Sequence, residues 1–443
     1  MSDTAAPAPA DGTPVLDLAA VGIGPFNLSL AALADTAGGF SFEAWDRRPV
    51  YDWHPGLMFD WAKLQVSFLA DLVSLVRPDS RWSFLSYLAD RDRMYPFYIA
   101  ERFHMPRREY ADYCAWAAHR MPGCTFGTEV ERVEWDAARE LWELTLRDTT
   151  SGAERTRLAR NVVLGVGSEP VLPPALRDAG ERVIHSAEHL HRVDGLIGDG
   201  VRDITVVGSG QSGAEVFLDL MRRQRDTGWA VTWLTRSWGF APMDYSKLVL
   251  EYTTPEYMTY FHGLAPEVRD RLAASQWQLH KGISTETIDL IHDELYDHLL
   301  DGDRPPVRLL PATAVRAAEK TGDGVRLTLS HADTGTEATH ETGAVIAATG
   351  YAPRRPECIA PLDTLVRWDE KGRYDVTPGH RVRTVPEVTG GLFVQNAEQH
   401  THGVASPDLG IGAYRSAVIL NAVAGREVFR LPRHTAFQTF SPR

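Results

Sequence analysis

Two short stretches of this chain carry residues whose type and spacing fit one chemistry. They are VGIGPFNLSL, from Val21 to Leu30, and VVGSGQSGAE, from Val206 to Glu215. In the first, Gly22 and Gly24 follow an apolar run and precede a helical pattern; Pro25 comes next, and Asn27 stands where a third glycine is usual. In the second, Gly208, Ser209, Gly210, Gln211, Ser212 and Gly213 complete the G-x-G-x-x-G pattern. The first glycine of such a turn permits a tight passage from strand to helix. The second removes a side chain so that a diphosphate can approach the backbone. The helix N-terminus then offers free N–H groups and the positive end of its dipole. About 20 residues beyond the first turn, at the end of the next strand, Asp46 can accept ribose hydroxyls. The corresponding strand after the second turn ends at Arg236 and Ser237. A cation there suits a 2′-phosphate. The pair of turns therefore points to FAD at the first and NADPH at the second.

Little else in the chain looks like a self-sufficient catalytic centre. No Ser-His-Asp set, paired carboxylates or metal-ligand spacing emerges. His400 and His402 form an H-x-H without an acid or cysteine cluster, so no metal is expected. Cys114, Cys124 and Cys358 are the only cysteines and form no CxxC pair. That argues against a disulfide scaffold, a zinc knuckle or a redox-active disulfide, and for a reducing, cytoplasmic setting.

The elements that must position the turns are legible. VLDLAAVGIG, PFNLSLAALAD and FSFEAWD read as strand, helix and strand, and DITVVGSGQSGAEVFLDLMRRQ followed by AVTWLTR repeats the unit. EVERVEWD and LWELTLRD read as meander strands, residues 240 to 300 as mostly helical, and GAYRSAVILNAVAG as a closing helix. The expected fold is α/β: two Rossmann-like dinucleotide-binding domains with a smaller, mostly helical substrate-binding insert. Residues 15–198 and 345–443 are assigned to the FAD domain, 199–240 and 301–344 to the NADPH domain, and 241–300 to the insert. Residues 1–14, rich in Ala, Pro and Asp, read as a disordered tail. Of the 443 residues, 44% are hydrophobic and 24% charged, an ordinary globular balance. A net charge of -13 gives no footprint for nucleic acid or an anionic membrane, and the apolar runs are too short to span a bilayer.

GIGPFNLSLAALA, WHPGLM, LQVSFLADLVSL, SFLSYL, FHMPRREYADYCAWA, GSGQSGAE, ATGY and THGVASPDLG occur in that order. From about residue 15 to 430 the chain resembles the N-hydroxylating flavin monooxygenases of siderophore biosynthesis, which act on lysine, ornithine or diamines. The resemblance implies reduction of FAD by NADPH, capture of O2 as a flavin C4a-hydroperoxide, and attack by an unprotonated terminal amine. By matching position it places Gly22, Gly24, Pro25, Asn27, Asp46, Trp53, His54, Lys63 and Gln65 at FAD. Gln65 lies between isoalloxazine and nicotinamide, as the residue nearest the chemistry. It places Gly208, Ser209, Gly210, Gln211, Ser212 and Arg236 at NADPH. Thr349, Gly350 and Tyr351, the ATGY segment, link the two domains, and Asp408 and Leu409 approach the flavin from the C-terminal side. It also implies a homo-oligomer, a dimer or a tetramer.

The substrate contacts of the ornithine enzymes are missing. Their FLKDL lysine is Ala70 here, and their FVNE and TNYS asparagines are Leu250 and Gly282. A carboxylate held there would lack its charge-assisted partners. Cadaverine or putrescine is therefore the expected substrate, its remote ammonium received by Asp244, Glu251 or Asp408. Lysine is the alternative, with Lys247 as its carboxylate partner. A different class, a reductase or oxidase using FAD and NAD(P)H, would share both turns.

Overall fold

The computed structural model describes residues 14–300 and 306–442, with backbone only for 225–227. The tail expected at the N-terminus lies outside the described residues except for Pro14, as do residues 301–305. Each glycine turn leaves a five-stranded parallel sheet. The first sheet runs Gly391–Val394, Asn161–Leu164, Leu18–Val21, Phe42–Asp46 and Cys124–Phe126. The second runs Val183–His185, Ala344–Ala347, Asp203–Val207, Ala230–Leu234 and Val307–Leu310. Leu18–Val21 in the first sheet and Ala344–Ala347 in the second are apolar and buried throughout, as parallel strands covered on both faces must be. Val183–His185 pairs with Ala344–Ala347, which in turn pairs with Asp203–Val207. The segments 199–240 and 301–344 therefore do not contain all of that sheet. Strand pairing crosses the boundaries that sequence order suggests.

An antiparallel meander is appended to each sheet. Thr128–Asp136, Leu141–Asp148 and Glu154–Ala159 accompany the first, and Thr313–Lys320, Val325–His331 and Glu337–Thr342 the second. The crossing between the two units is itself a small sheet: Tyr351–Pro353 pairs antiparallel with Ser168–Pro170. Between them, the helix Thr285–Leu300 lays Ile288 and Ile291 on the nucleotide-turn helix Gln211–Thr227. The helix Pro255–His262 lays Tyr257 and Phe261 against Val404 of the C-terminal part. The insert thus leans on both units. Among the described residues no helix is long and apolar enough to cross a membrane.

Both turns are shaped by backbone crowding. Gly22 has φ 91°, and a Cβ there would sit 2.6 Å from the Gly165 carbonyl oxygen; Gly208 has φ 123°, with the Ala348 oxygen 2.2 Å from that place. Asn27 is expected from the sequence at the cofactor, but its side chain turns inward. Its Nδ2 donates to the Val21 oxygen at 3.1 Å and the Gly22 oxygen at 2.8 Å, and its Oδ1 accepts from Gln395 at 2.7 Å. It holds the turn from beneath and has no side-chain group left for a ligand. Asn27→Ala removes the partner of the Gly22 oxygen and of the Gln395 amide, while the Val21 oxygen keeps the Gly165 N–H, so we expect a loss of about 1–3 kcal/mol. Urea unfolding measures it; a stability unchanged within about 0.5 kcal/mol would contradict this role.

Candidate active site at the junction of the two nucleotide folds

The junction is built around one buried ion pair. Arg107 opens the helix Arg107–Arg120 of the first unit, and Glu215 lies one turn into the helix that follows the second glycine turn. Arg107 reaches across with Nη2 2.6 Å from Oε1 and Nη1 2.9 Å from Oε2, while Nη1 also donates to the Leu57 oxygen at 2.7 Å. Glu215 is 1% exposed. A carboxylate this deep needs its counter-charge, and the counter-charge belongs to the other domain.

Gln211 sits four residues before Glu215, on the same helix face. Its Nε2 donates to Glu215 at 3.0 Å and to Thr287 at 2.9 Å; its Oε1 accepts from the Ser284 N–H at 2.8 Å and from Gln65 at 2.9 Å. Gln65 comes from the first unit, Gln211 from the second, and Ser284 and Thr287 from the insert. All four line a cleft of about 170 Å³, together with Lys63 and Tyr245. Lys63 pairs with Glu286 of the insert.

A second group gathers beside it. The Trp53 ring lies 5.0 Å from His54, His54 lies 6.0 Å from Tyr351, and Tyr351 lies 5.2 Å from His185. The Thr349 hydroxyl donates to the Val171 oxygen at 2.5 Å, Gly350 has φ 88°, and the Gly350 oxygen faces His185 Nε2 at 3.0 Å. The Tyr351 hydroxyl is buried without a partner. His54 is open to solvent and stands between the Trp53 and Tyr351 rings. Crowding by the protein, then the charges of Arg107 and Arg48, lower its pKa to about 4.

At the first turn, Asp46 accepts from the Ile23 N–H at 3.0 Å and is gripped by Arg48 through its backbone N–H, Nε at 2.9 Å and Nη2 at 2.7 Å. Burial pushes this carboxyl up. The hydrogen bonds and charge of Arg48, with the two backbone donors, outweigh burial and hold it below the usual range. A ribose hydroxyl can reach Asp46 only by displacing part of this grip, because Ile23 and Arg48 fill its acceptor positions. At Gly24 a Cβ would meet nothing within 4 Å, which leaves room above the helix N-terminus that Pro25 begins. At the second turn a Cβ on Gly210 would meet only the Lys281 oxygen. The Ser209 hydroxyl accepts from Thr235 at 2.9 Å, Ser212 lies in the first helical turn, and Arg236 is exposed just past the strand. The residues present fit two dinucleotides: cradles free of side chains, and a cleft between them.

The acids proposed for a substrate ammonium separate. Glu251 accepts from the Phe437 and Gln438 N–H groups at 3.0 and 2.9 Å, so it holds the C-terminal segment and faces away from the cleft chemistry. Asp244 is exposed and accepts from the Ser246 N–H at 2.9 Å in a local turn, and Lys247 is exposed on the helix Lys247–Leu250. Residue type could not tell these orientations apart. Asp408 differs. It is ringed by protein, accepts from the Gly410 N–H at 2.6 Å, and has burial raising its pKa against that N–H and the Arg415 charge. A Cβ on Gly410 would touch Asp408 at 2.9 Å and Ala70 at 3.9 Å, so Asp408 and Ala70 flank one point. Leu409 packs onto the first core. Sequence reading missed Arg48, Arg107 and Glu215. The only signal was a charge inside an otherwise apolar helix face.

The fold and this junction define an oxidoreductase on two dinucleotide folds. The family model described as L-lysine 6-monooxygenase/L-ornithine 5-monooxygenase matches residues 14–353. A putrescine N-hydroxylase of Shewanella oneidensis is 39% identical over 428 residues, 97% of this chain and 84% of that one. The crystal structure of DfoA bound to FAD, a cadaverine monooxygenase from Erwinia amylovora, superposes with TM-score 0.93 at 38% identity, covering 97% of this chain and 99% of the other. An ornithine N-hydroxylase from Kutzneria sp. 744, with reduced FAD, NADP+ and L-ornithine, gives TM-score 0.86 at 27% identity, covering 93% and 99%. The chain belongs to the L-lysine 6-monooxygenase/L-ornithine 5-monooxygenase family. The reductase alternative lacks its redox pair, since Cys114, Cys124 and Cys358 form no CxxC spacing. Among the described residues no group of three or more His, Cys, Asp or Glu could hold a metal.

The depressed histidines set a pH dependence. His280 is also lowered to about 4, by burial and then the Lys281 charge. The unfolded chain takes up these protons near pH 6.5, the folded chain only near 4. Their contribution is therefore fully present above about pH 6.5 and is lost as pH falls toward 4. Urea unfolding at pH 7 and pH 5 is expected to show lower stability at pH 5 and a smaller difference in His280→Gln. An equal difference in that variant would contradict the assignment.

Proposed function

We propose that this chain uses FAD, NADPH and O2 to N-hydroxylate one terminal amine of a diamine, cadaverine or putrescine, in the making of a hydroxamate siderophore. The observation that carries the reading is Asp408 beside Ala70. Where the ornithine enzymes have a lysine for the substrate carboxylate, this chain has a methyl group and, next to it, a carboxylate. An ammonium fits that pair and a carboxylate does not. The two named relatives above that act on diamines support the same choice.

FAD supplies the oxygen activation once NADPH has reduced it. The protein's residues do the rest. Gly22, Gly24 and Pro25 hold the FAD diphosphate and Asp46 its ribose; Gly208, Ser209, Gly210 and Ser212 hold that of NADPH, with Arg236 on the 2′-phosphate. Gln65, held in place by Gln211, would meet the nicotinamide edge. Trp53, His54, Lys63 and Tyr351 close the cleft to water. Asp408 anchors the remote ammonium so that the other amine, free of its proton, points inward. Leu409 backs it. The assembly in solution is a homo-oligomer, a dimer or tetramer, which light scattering reads.

A panel of cadaverine, putrescine, lysine and ornithine, scored for hydroxylamine and not for NADPH loss, tests this. A diamine should win. Asp408→Asn should raise its KM by roughly 10- to 150-fold, the loss of one charge-assisted contact, while leaving flavin reduction by NADPH alone. Ornithine or lysine as the best substrate, or an unchanged KM, would overturn the reading.

A further inference from the structure

The chain leaves its last long helix, Gly412–Ala424, and is pinned to the first unit at once. Asn421 Oδ1 accepts from the Val428 and Phe429 N–H groups at 2.8 and 2.9 Å, its Nδ2 donates to the Phe429 oxygen at 2.8 Å, and Phe429 is buried in the first core. The chain then crosses to the insert. There two carboxylates receive its backbone. Glu256 accepts from the Thr435 N–H at 2.6 Å, the Ala436 N–H at 2.5 Å and the Thr435 hydroxyl at 3.1 Å. Glu251 accepts from Phe437, Gln438 and the Gln438 side chain, at 3.0, 2.9 and 3.0 Å. Phe440 finishes the contact with its ring 5.0 Å from Tyr257, 5.4 Å from Tyr252 and 6.0 Å from Tyr260.

What lies on the other face of that helix gives the contact its consequence. Tyr257 and Phe261 also pack on Val404, and Met258 packs on Ala405 and Ile411. A Cβ on Gly403 would stand 3.1 Å from the Phe261 ring. The helix Pro255–His262 is therefore clamped between the C-terminal segment and the loop that carries Asp408. Two half-buried acids on one short stretch need hydrogen-bond donors. Here each takes several donors from one continuous segment, which fixes the helix from its open side.

We propose that Thr435–Phe440 is a strap, and that Glu251 and Glu256 are positioning residues that act through it on the Asp408 loop and so on amine binding. This rests on the amine-hydroxylase reading above. The strap touches neither glycine turn, so it sets the substrate side of the site alone.

The test compares the full chain with two variants, removal of residues 434–443 and Glu256→Gln, each loaded with FAD. Two readouts are taken: KM and kcat for the preferred diamine, and the rate of limited proteolysis within residues 244–262. We expect KM to rise about tenfold in the truncation and less in Glu256→Gln, with kcat changed far less. Cleavage of the insert should quicken in the same order, because a helix freed on one face opens locally. Flavin reduction by NADPH without amine should match the full chain. Unchanged KM and unchanged proteolysis in the truncation would overturn the strap. A full chain that hydroxylates no amine would overturn the function instead, and the proteolysis result would still decide the strap. An equal loss of flavin reduction would make the segment a general stabiliser and also overturn the proposal.

Discussion

A charge on each of two domains, buried together, is the constraint from which the site follows. Arg107 and Glu215 are 108 residues apart in sequence and meet by two hydrogen bonds, with Glu215 buried. Breaking such a pair by removing one partner costs about 3–5 kcal/mol, far more than the pair itself contributes. The two nucleotide folds are therefore not free to drift apart without exposing or abandoning a charge. Because Glu215 also takes a hydrogen bond from Gln211, and Gln211 touches Gln65, the same contact fixes the two side chains between the glycine turns.

The rest of the junction is arranged around that fixed point. The crossing strands Ser168–Pro170 and Tyr351–Pro353 form a second tie, and Tyr351 lies near both charges. The insert is tied to Gln211 through Ser284 and Thr287, so the wall of the cleft moves with the second turn. Amine chemistry needs a nucleophile without its proton and a space without bulk water. Walls cross-linked through Gln211, Ser284 and Thr287 serve the second of these needs.

How much of this was legible in the sequence depends on how local the physics is. A glycine turn is local: positive φ at Gly22 and Gly208 and the close carbonyls of Gly165 and Ala348 follow from the G-x-G spacing, and both turns stand where the sequence put them. So do the meander strands Thr128–Asp136 and Leu141–Asp148 and the helices of the insert, whereas NVVLGVG, read as part of that meander, supplies the parallel strand Asn161–Leu164. The inward turn of Asn27 was not legible, because its partner Gln395 lies on a distant strand. The grip of Arg48 on Asp46 was missed although the two are neighbours, since a carboxylate suited to ribose is equally suited to an arginine. Glu251 and Asp408 carry the same charge in the sequence. Only the fold shows one engaged by backbone N–H groups of the C-terminal segment and the other near Ala70 at Gly410.

The account rests most heavily on the claim that the buried pair brings the two turns into register. The most direct measurement is the anaerobic rate at which saturating NADPH reduces the flavin in Glu215→Gln, a change that keeps shape and removes charge. The account predicts a fall of about tenfold or more, because misplacing the two partners by an ångström removes the benefit of fixed geometry. FAD should still bind. A reduction rate equal to that of the parent chain would contradict it.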